Sequence, residues 1–265
     1  MSQTEVPLAV VPAAGLGTRL APATWAVPKE IMPIGLYPMI QWTLEEIVQS
    51  GIPRVAVVVS PAKPALSGFL NRWKKGGGID LETVSQPRAI GLADALLRVR
   101  SLAGDGPIAL VLPDNVFFPY AGARPALAQV VKGFAATGRD TTGVIRVPAK
   151  DARAFGHAGL VEVSGSRGRL VDITKLHPKR KGSLRLRGAD FLYKTFARTV
   201  LLPHFFDYLL ESKRRNPGSD EVSALQKILR RHGFSGVLLR GRGFDAGNPT
   251  GYAAAISYWA RKSRR

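Results

Sequence analysis

The chain of 265 residues, 45% of them hydrophobic, is long enough to bury the core of one large α/β domain, or of one domain with a small appendage. It has no cysteine, which excludes disulfides and thiolate chemistry, no run of about eighteen apolar residues to span a membrane, and in MSQTEVP no signal-peptide pattern, so the expected location is the cytoplasm. The net charge of +19 admits nucleic acid as a partner, but the basic clusters (Arg72 to Lys75, Lys179 to Arg187, Lys213 to Arg215, Arg261 to Arg265) hold few aromatics spaced for base stacking, and they read as a self-repelling surface that attracts small anions and takes nucleic acid only non-specifically.

Leu8 to Val11 form an apolar run that predicts a buried strand. It leads straight into a loop holding Ala13, Ala14, Gly15, Gly17, Thr18 and Arg19, with Lys29 beyond it. Backbone N–H groups in such a loop can face an oxyanion, and a fixed Arg and Lys add the positive charge that a triphosphate requires. Two better-known phosphate loops are excluded. The dinucleotide fingerprint needs a third Gly where Leu20 stands and a helix at once, whereas Pro22, Pro28 and Pro33 follow here. The Walker pattern needs a Gly-Lys-Ser/Thr triplet that does not follow Gly15. A Gly-X-Gly turn alone is strand–loop punctuation; the order Gly-Leu-Gly-Thr-Arg, proline-rich loop and Pro-Lys-Glu is far more specific.

Next, Ile40, Leu44, Ile47 and Val48 form a helical stripe ending near Ser50-Gly51. Val55 to Val59 predicts a second buried strand and Ala65 to Trp73 a helix. The cluster Gln86 to Leu92 sits between a strand and a helix marked by Leu92, Leu96 and Val99. The strand Ile108 to Leu112 then runs into Pro113-Asp114-Asn115. Strand–helix alternation of this kind calls for a mainly parallel sheet with helices on both faces, and ligands bind beyond the carboxyl ends of its strands. Gly15 to Arg19 and Asp114 should share that edge.

From Thr141 onward the pattern changes. Short strands are expected at Thr141 to Val147, Gly159 to Val163, Leu170 to Ile173 and Val237 to Leu239, and helices at His204 to Leu210 and Glu221 to Arg230. A last cluster, Phe244-Asp245-Ala246-Gly247-Asn248-Pro249, precedes a helix with Tyr252, Ala255, Ile256 and Trp259 on one face. No repeat or linker divides the chain, so 1–265 reads as a single domain. On residue type alone, Gln86 is a loop amide, Gly91 a helix-start residue, Asp114 and Asp245 caps or turn formers, and Lys175 to Lys181 a solvated basic loop. The four histidines show no ligand spacing or triad context.

Ala13 to Arg19, Pro22 to Thr24, Pro28 to Glu30 and Met32 to Ile34 together resemble the opening motifs of the sugar-1-phosphate nucleotidyltransferases, most closely the bacterial UTP–glucose-1-phosphate uridylyltransferases. The resemblance runs to the C-terminus and thins between about Phe155 and Arg198. It implies a Rossmann-like, mainly parallel mixed sheet flanked by helices, of the nucleotide-diphospho-sugar transferase type, with a nucleotide-binding part (1–140) and an acceptor-sugar part with a C-terminal helix (141–265). It implies that Ala13, Ala14, Gly15, Gly17 and Thr18 hold the nucleotide, that the Gln86 amide pairs with the base edge, and that Gly91 lets the backbone come close. Asp114 and Asp245 become ligands of one Mg²⁺, although Pro113 stands where the family usually has Gly. Lys29 would bridge the α-phosphate and the attacking phosphate, while Arg19 would hold the leaving pyrophosphate. Two carboxylates facing a triphosphate would repel it by several times roughly 4 kcal/mol at an effective dielectric of 20, and a divalent cation reverses that sign.

On the acceptor side, Gly156 and Gly159 resemble residues where the sugar passes close to the backbone. The family's Glu-Lys-Pro is replaced by Thr174 to Arg180, in which Lys179 is the best equivalent of the phosphate-binding Lys, Lys175 the second, and the Glu has no counterpart. Ala93-Asp94 stands where Gly-His is usual, as in the thymidylyltransferase branch, so UTP and dTTP both remain open. A phosphate monoester is ionised at neutral pH and needs no general base, so catalysis would be positioning and electrostatic stabilisation. The expectation is a Mg²⁺-dependent transfer from UTP to glucose 1-phosphate. A dTTP-dependent enzyme, a non-catalytic nucleotide-sugar-binding regulator and a nucleic-acid-binding protein stand as alternatives. Homo-oligomers are common in the resembled family, but no segment identifies an interface.

Overall fold

The computed structural model describes residues 5–76, 78–149, 159–177, 190–218 and 220–263. The first half runs β1 (Leu8–Pro12), the one-turn α1 (Ala23–Ala26) between 3-10 turns at Thr18–Leu20 and Lys29–Ile31, the small pair β2 (Pro33–Ile34) and β3 (Tyr37–Pro38), α2 (Met39–Gln49), β4 (Arg54–Val59), α3 (Pro64–Lys74), β5 (Asp80–Ser85), α4 (Leu92–Leu97), α5 (Arg100–Ala103), β6 (Ile108–Val111), β7 (Asn115–Pro119) and α6 (Ala126–Thr137). The second half runs β8 (Thr141–Pro148), β9 (Leu160–Arg167), β10 (Leu170–Leu176), β11 (Phe191–Leu201), α7 (His204–Arg215), α8 (Glu221–His232), β12 (Ser235–Leu238), β13 (Gly241–Asp245) and α9 (Pro249–Lys262). Prolines sit at the starts of the short helices between Thr18 and Ile31, where a missing N–H costs no intrahelical bond.

Among the described residues, nine strands form one mixed sheet in the order β5-β4-β1-β6-β11-β8-β12-β10-β9. The expected parallel arrangement occupies the first half: β4 pairs in parallel with β1 and β5, and β1 with β6. The direction reverses at β11, which lies antiparallel between β6 and β8. β1 shows why the sheet carries helices on both faces. Its alternate residues Leu8 and Val10 join the core under α4, α7 and α8, while Ala9 and Val11 join the core under α2, α3 and α6. A strand buried on both sides reads as an unbroken apolar run, as this one does.

The stripe of α2 holds at Ile40, Leu44 and Ile47, all fully buried, but Val48 is exposed. Glu46 is buried in its neighbourhood instead, because an arginine from β11 meets it there. β11 and α6 carry no expectation from the sequence pattern. In β11, Lys194 and Arg198 interrupt the apolar run that would mark a buried strand. β9 and β10 extend further than expected, to Arg167 and Leu176. Among the described residues no helix is long and apolar enough to cross a membrane.

α6 lies against β12 through Gly133, where an added Cβ would press into the side chain of Val237 and come within 3.2 Å of Leu170 Cδ2. Two effects of Gly133→Ala therefore oppose each other: a helix-propensity gain of about 1 kcal/mol and an overpacking cost of about 1–3 kcal/mol. Because Val237 is buried and its branched side chain is stiff, the cost is expected to win. Gly133→Ala should lower the urea midpoint, whereas a raised midpoint would show that the helix shifts freely off the sheet.

Candidate active site

The parallel strands β1, β4 and β6 end at one edge, and the loops after them converge there. The first loop, from Ala13 to Ile31, turns at Gly17, whose φ of 70° is left-handed and therefore suits glycine. Thr24 Oγ1 donates to the Gly17 carbonyl at 3.1 Å and closes the turn. Beneath it lies Lys63, which follows β4. Its ammonium donates to the carbonyls of Ala13 (2.8 Å) and Gly15 (2.6 Å) and to Glu30 Oε2 (2.8 Å). Glu30 is fully buried and Lys63 nearly so. Burial pushes the Lys63 ammonium below its ordinary value, and the Glu30 carboxylate works against that shift. One buried cation thus ties both ends of the loop together through two carbonyls and a carboxylate. Lys63 carries no expectation from the sequence pattern, although its position just after a parallel strand is a usable signal.

A charged cluster occupies the mouth of this loop. Asp114 is buried in the turn after β6, and Lys29 Nζ donates to its Oδ2 at 2.6 Å. Asn115 Nδ2 donates to the other oxygen at 3.1 Å. Burial opposes ionisation of Asp114, but Lys29, Asn115 and Arg19 together hold its carboxyl below the usual carboxylate range. Asp245 arrives from the far end of the chain: β13 pairs antiparallel with β7 and sets Asp245 opposite Asn115. Arg19 then spans the two carboxylates, 3.7 Å from Asp114 Oδ2 and 3.3 Å from Asp245 Oδ2. Gly247 permits the close approach, since a Cβ there would lie 2.5 Å from Asp114 Oδ2 and 2.7 Å from Arg19 Nη2. Gly251 permits the packing of α9 under the same turn, because its Cβ would run into the Asp245 carbonyl.

The Asp114 turn is held from behind by Arg198, which likewise carries no expectation from the sequence pattern. Its guanidinium donates to the carbonyls of Leu112 (3.1 Å) and Asn115 (2.8 Å) and makes two bonds, 3.0 and 2.7 Å, to Glu46 Oε2. Glu46 Oε1 accepts from the Leu127 N–H at 2.7 Å. A charge inside an otherwise apolar strand was the available sign that a buried partner existed.

A cleft of about 320 Å³ opens between the first loop and α4, and Ala14, Gly15, Gly17, Thr18, Gln86 and Gly91 line it together with Lys29 and Asp114. Ala13 is fully buried behind it, with its N–H bonded to the Val58 carbonyl at 2.8 Å. Gln86 is buried at the end of β5, and its amide nitrogen donates to the Gly91 carbonyl (3.1 Å) and to Asp94 Oδ2 (2.8 Å). Both partners are acceptors, which fixes the amide orientation and leaves the oxygen as the group it can offer a ligand. Asp94 is held in turn by Arg98 at 2.8 Å.

On the other side, Gly159 lies against β11, with a left-handed φ of 79°. Lys175 pairs with Glu162 at 2.8 Å on the exposed side of β10 and β9, apart from the charged cluster. Gly156 and Lys179 lie outside the described residues.

Asp114 and Asp245 give hard oxygen donors within reach of one guanidinium. No group of three or more His, Cys, Asp or Glu suited to a metal occurs among the described residues. This donor set fits a divalent cation that takes one or two carboxylates and completes its shell from phosphate oxygens and water.

Known proteins are similar to this chain over nearly its whole length. The family model described as "Nucleotidyl transferase" matches residues 8–255. The UTP–glucose-1-phosphate uridylyltransferase of Mycoplasma pneumoniae is 30% identical, covering 96% of this chain and 92% of the relative. The enzyme of the same name from Bacillus subtilis is 27% identical over 98% of this chain and 93% of its own. Among solved structures, a UDP-glucose pyrophosphorylase complexed with UDP-glucose superposes with a TM-score of 0.82 at 23% identity, covering 97% of this chain and all of the other.

Removing Lys63 would strand the Glu30 carboxylate in the interior. Breaking a buried pair from one side costs about 3–5 kcal/mol. Lys63→Met is expected to destabilise the protein by that amount in urea unfolding, and the double variant Lys63→Met/Glu30→Gln to recover part of it. Additive single and double losses would show that the pair does not act as a unit.

Proposed function

Because the chain belongs to the nucleotidyl transferase family, we propose that it transfers the uridylyl group of UTP to glucose 1-phosphate, giving UDP-glucose and pyrophosphate. The observation that carries this reading is the pairing of Asp114 and Asp245 with Lys29 and Arg19 at the mouth of the nucleotide cleft. The printed names of the relatives support the choice of substrates.

The N–H groups of Gly15, Gly17 and Thr18 receive the phosphates, with Ala13 and Ala14 shaping the loop beneath. Gln86 presents an acceptor oxygen, which suits the N3–H of uracil or thymine and not the N3 acceptor of cytosine. Gly91 allows the base to lie close to the backbone. A phosphate oxygen of the sugar 1-phosphate attacks the α-phosphorus; the bond from that phosphorus to the bridging oxygen breaks, and pyrophosphate leaves with the electron pair. Lys29 stabilises charge between the α-phosphate and the incoming phosphate, and Arg19 holds the departing pyrophosphate. No proton need be removed, because the attacking phosphate is already ionised. Asp114 and Asp245 would hold Mg²⁺, which when bound neutralises phosphate charge. Gly159, and Gly156 with Lys179 outside the described residues, would face the acceptor. The reaction uses soluble substrates, in keeping with a cytoplasmic site of action.

Ala93 favours a second reading, dTTP in place of UTP. Gln86 does not separate the two, since both bases carry N3–H. A non-catalytic regulator would not require Arg19, Lys29, Asp114 and Asp245 in one cluster.

Pyrophosphate release tests the reading directly, crossing UTP and dTTP with a panel of sugar 1-phosphates. Turnover should require the divalent cation, stop with chelator, favour UTP with glucose 1-phosphate, and fall by more than about 100-fold in Asp114→Ala. Turnover that persists at full rate in that variant would remove Asp114 from the chemistry.

A further inference from the structure

Gln86 is fixed everywhere except in the sense of its amide. Its backbone N–H donates to the Val59 carbonyl at 2.8 Å, which ties it to the end of β4. Its side chain is almost wholly buried and lines the nucleotide cleft. A half-turn of the amide exchanges Nε2 and Oε1 without changing the shape, so packing cannot choose between the two orientations. Hydrogen-bond partners can. Nε2 donates to the Gly91 carbonyl and to Asp94 Oδ2, whereas among the described residues no hydrogen bond reaches Oε1. Turned over, the amide would set its oxygen against two acceptors, one of them charged, in a place where an unmet hydrogen bond is costly.

Of the two partners Asp94 is the stronger. Its bond to Nε2 is 2.8 Å and charge-assisted, against 3.1 Å for the neutral Gly91 carbonyl. Asp94 stands where the resembled family usually has His. An imidazole can donate or accept according to its tautomer, but a carboxylate only accepts. Arg98 keeps that carboxylate in place: Nε donates to the same Oδ2 at 2.8 Å, and Nη1 donates to the carbonyl of Ser85, the residue before Gln86, at 3.2 Å. An acid in the first turn of α4 also suits the positive end of a helix, but that role needs no contact with Gln86.

We propose that Asp94 is a positioning residue for base selection: by holding the Gln86 nitrogen it turns the Gln86 oxygen to the nucleotide, and the site thereby accepts a base with a ring N–H at that edge and rejects one with a bare ring nitrogen. The inference rests on the functional reading above, in which Gln86 meets the base edge. Uracil and cytosine have rings of one size, so the choice between them is made by pairing and not by space. Uracil N3–H donates to Oε1, while cytosine N3 would face it lone pair to lone pair. Thymine carries the same N3–H, and Asp94 does not separate UTP from dTTP.

Calorimetric titration of the full chain with UTP and with CTP, in Mg²⁺ and without acceptor, reads base choice apart from turnover. Wild-type protein should bind UTP about 100-fold more tightly than CTP, or better. In Asp94→Asn the new carboxamide can donate to Gln86 Oε1, so the amide is free to turn, and the ratio should fall about tenfold or more as UTP loses affinity and CTP gains it. Asp94→Glu keeps an accepting carboxylate and should recover part of the preference. Arg98→Met loosens the carboxylate but leaves it charged, and should lower the ratio by a smaller factor. Asp80→Asn, an exposed acid at the start of β5, controls for net charge and should leave the ratio unchanged. A role confined to the helix end would lower the melting temperature of Asp94→Asn and weaken both nucleotides alike, and an unchanged ratio of that kind would overturn the proposal. Equal affinity of the wild type for UTP and CTP would overturn it as well. Binding of neither nucleotide would overturn both this inference and the reading of the cleft. A preference for UTP that depends on Asp94, in a protein that releases no pyrophosphate from UTP with glucose 1-phosphate, would strike the transfer reading alone.

Discussion

The site depends on a buried ion pair that takes no part in the chemistry. Arg198 and Glu46 lie almost wholly out of water, where two charges lose several kilocalories per mole of hydration each. The pair is tolerable because its polar atoms find partners: Glu46 also accepts from the first turn of α6, and Arg198 also donates to two carbonyls of the turn that carries Asp114. It joins α2, α6 and β11 to a single turn and so converts packing of the whole sheet into the position of one carboxylate. Hydrophobic contacts alone would hold the layers together without fixing the rotation of that turn, because burial has no direction.

The first loop repeats this construction with Lys63 and Glu30. In both places a buried cation reaches backbone carbonyls from behind and is balanced by a buried glutamate. The exposed side reverses the signs: Asp114 and Asp245 are buried or half-buried acids bridged by Arg19, with Lys29 on Asp114. A chain of net charge +19 thus encloses a small acidic centre, so long-range attraction for anions and a local negative charge act at one mouth.

What could be read from the sequence was local. Gly17, Arg19 and Lys29 lie within one loop, so their spacing can be read without reference to the rest of the chain. β1 and β4 were legible because a strand buried on both faces is an uninterrupted apolar run. The partners acting at long range were not legible. Arg198 and Glu46 are 152 positions apart, and nothing in either segment names the other. Val48 was assigned to a buried stripe that Glu46 occupies in part, because hydropathy treats a paired glutamate as a surface residue. Lys194 and Arg198 concealed β11 for the same reason: charges broke the apolar pattern of a strand that is nonetheless buried in the sheet. The acceptor side was the least readable, and two of its expected residues, Gly156 and Lys179, lie outside the described residues.

The ribbon of β7 and β13 has a mechanical consequence. Arg19 and Asp245 meet although 226 positions separate them, and Asp245 reaches the cluster because β13 pairs with β7 and α9 packs its Gly251 beneath. The two carboxylates are therefore carried by separate supports: Asp114 rests on the turn that Arg198 holds, and Asp245 on the ribbon. A substitution that loosens the ribbon would part the two acids while leaving the Asp114 turn in place, so the spacing between them is a property of the tertiary structure and not of either loop.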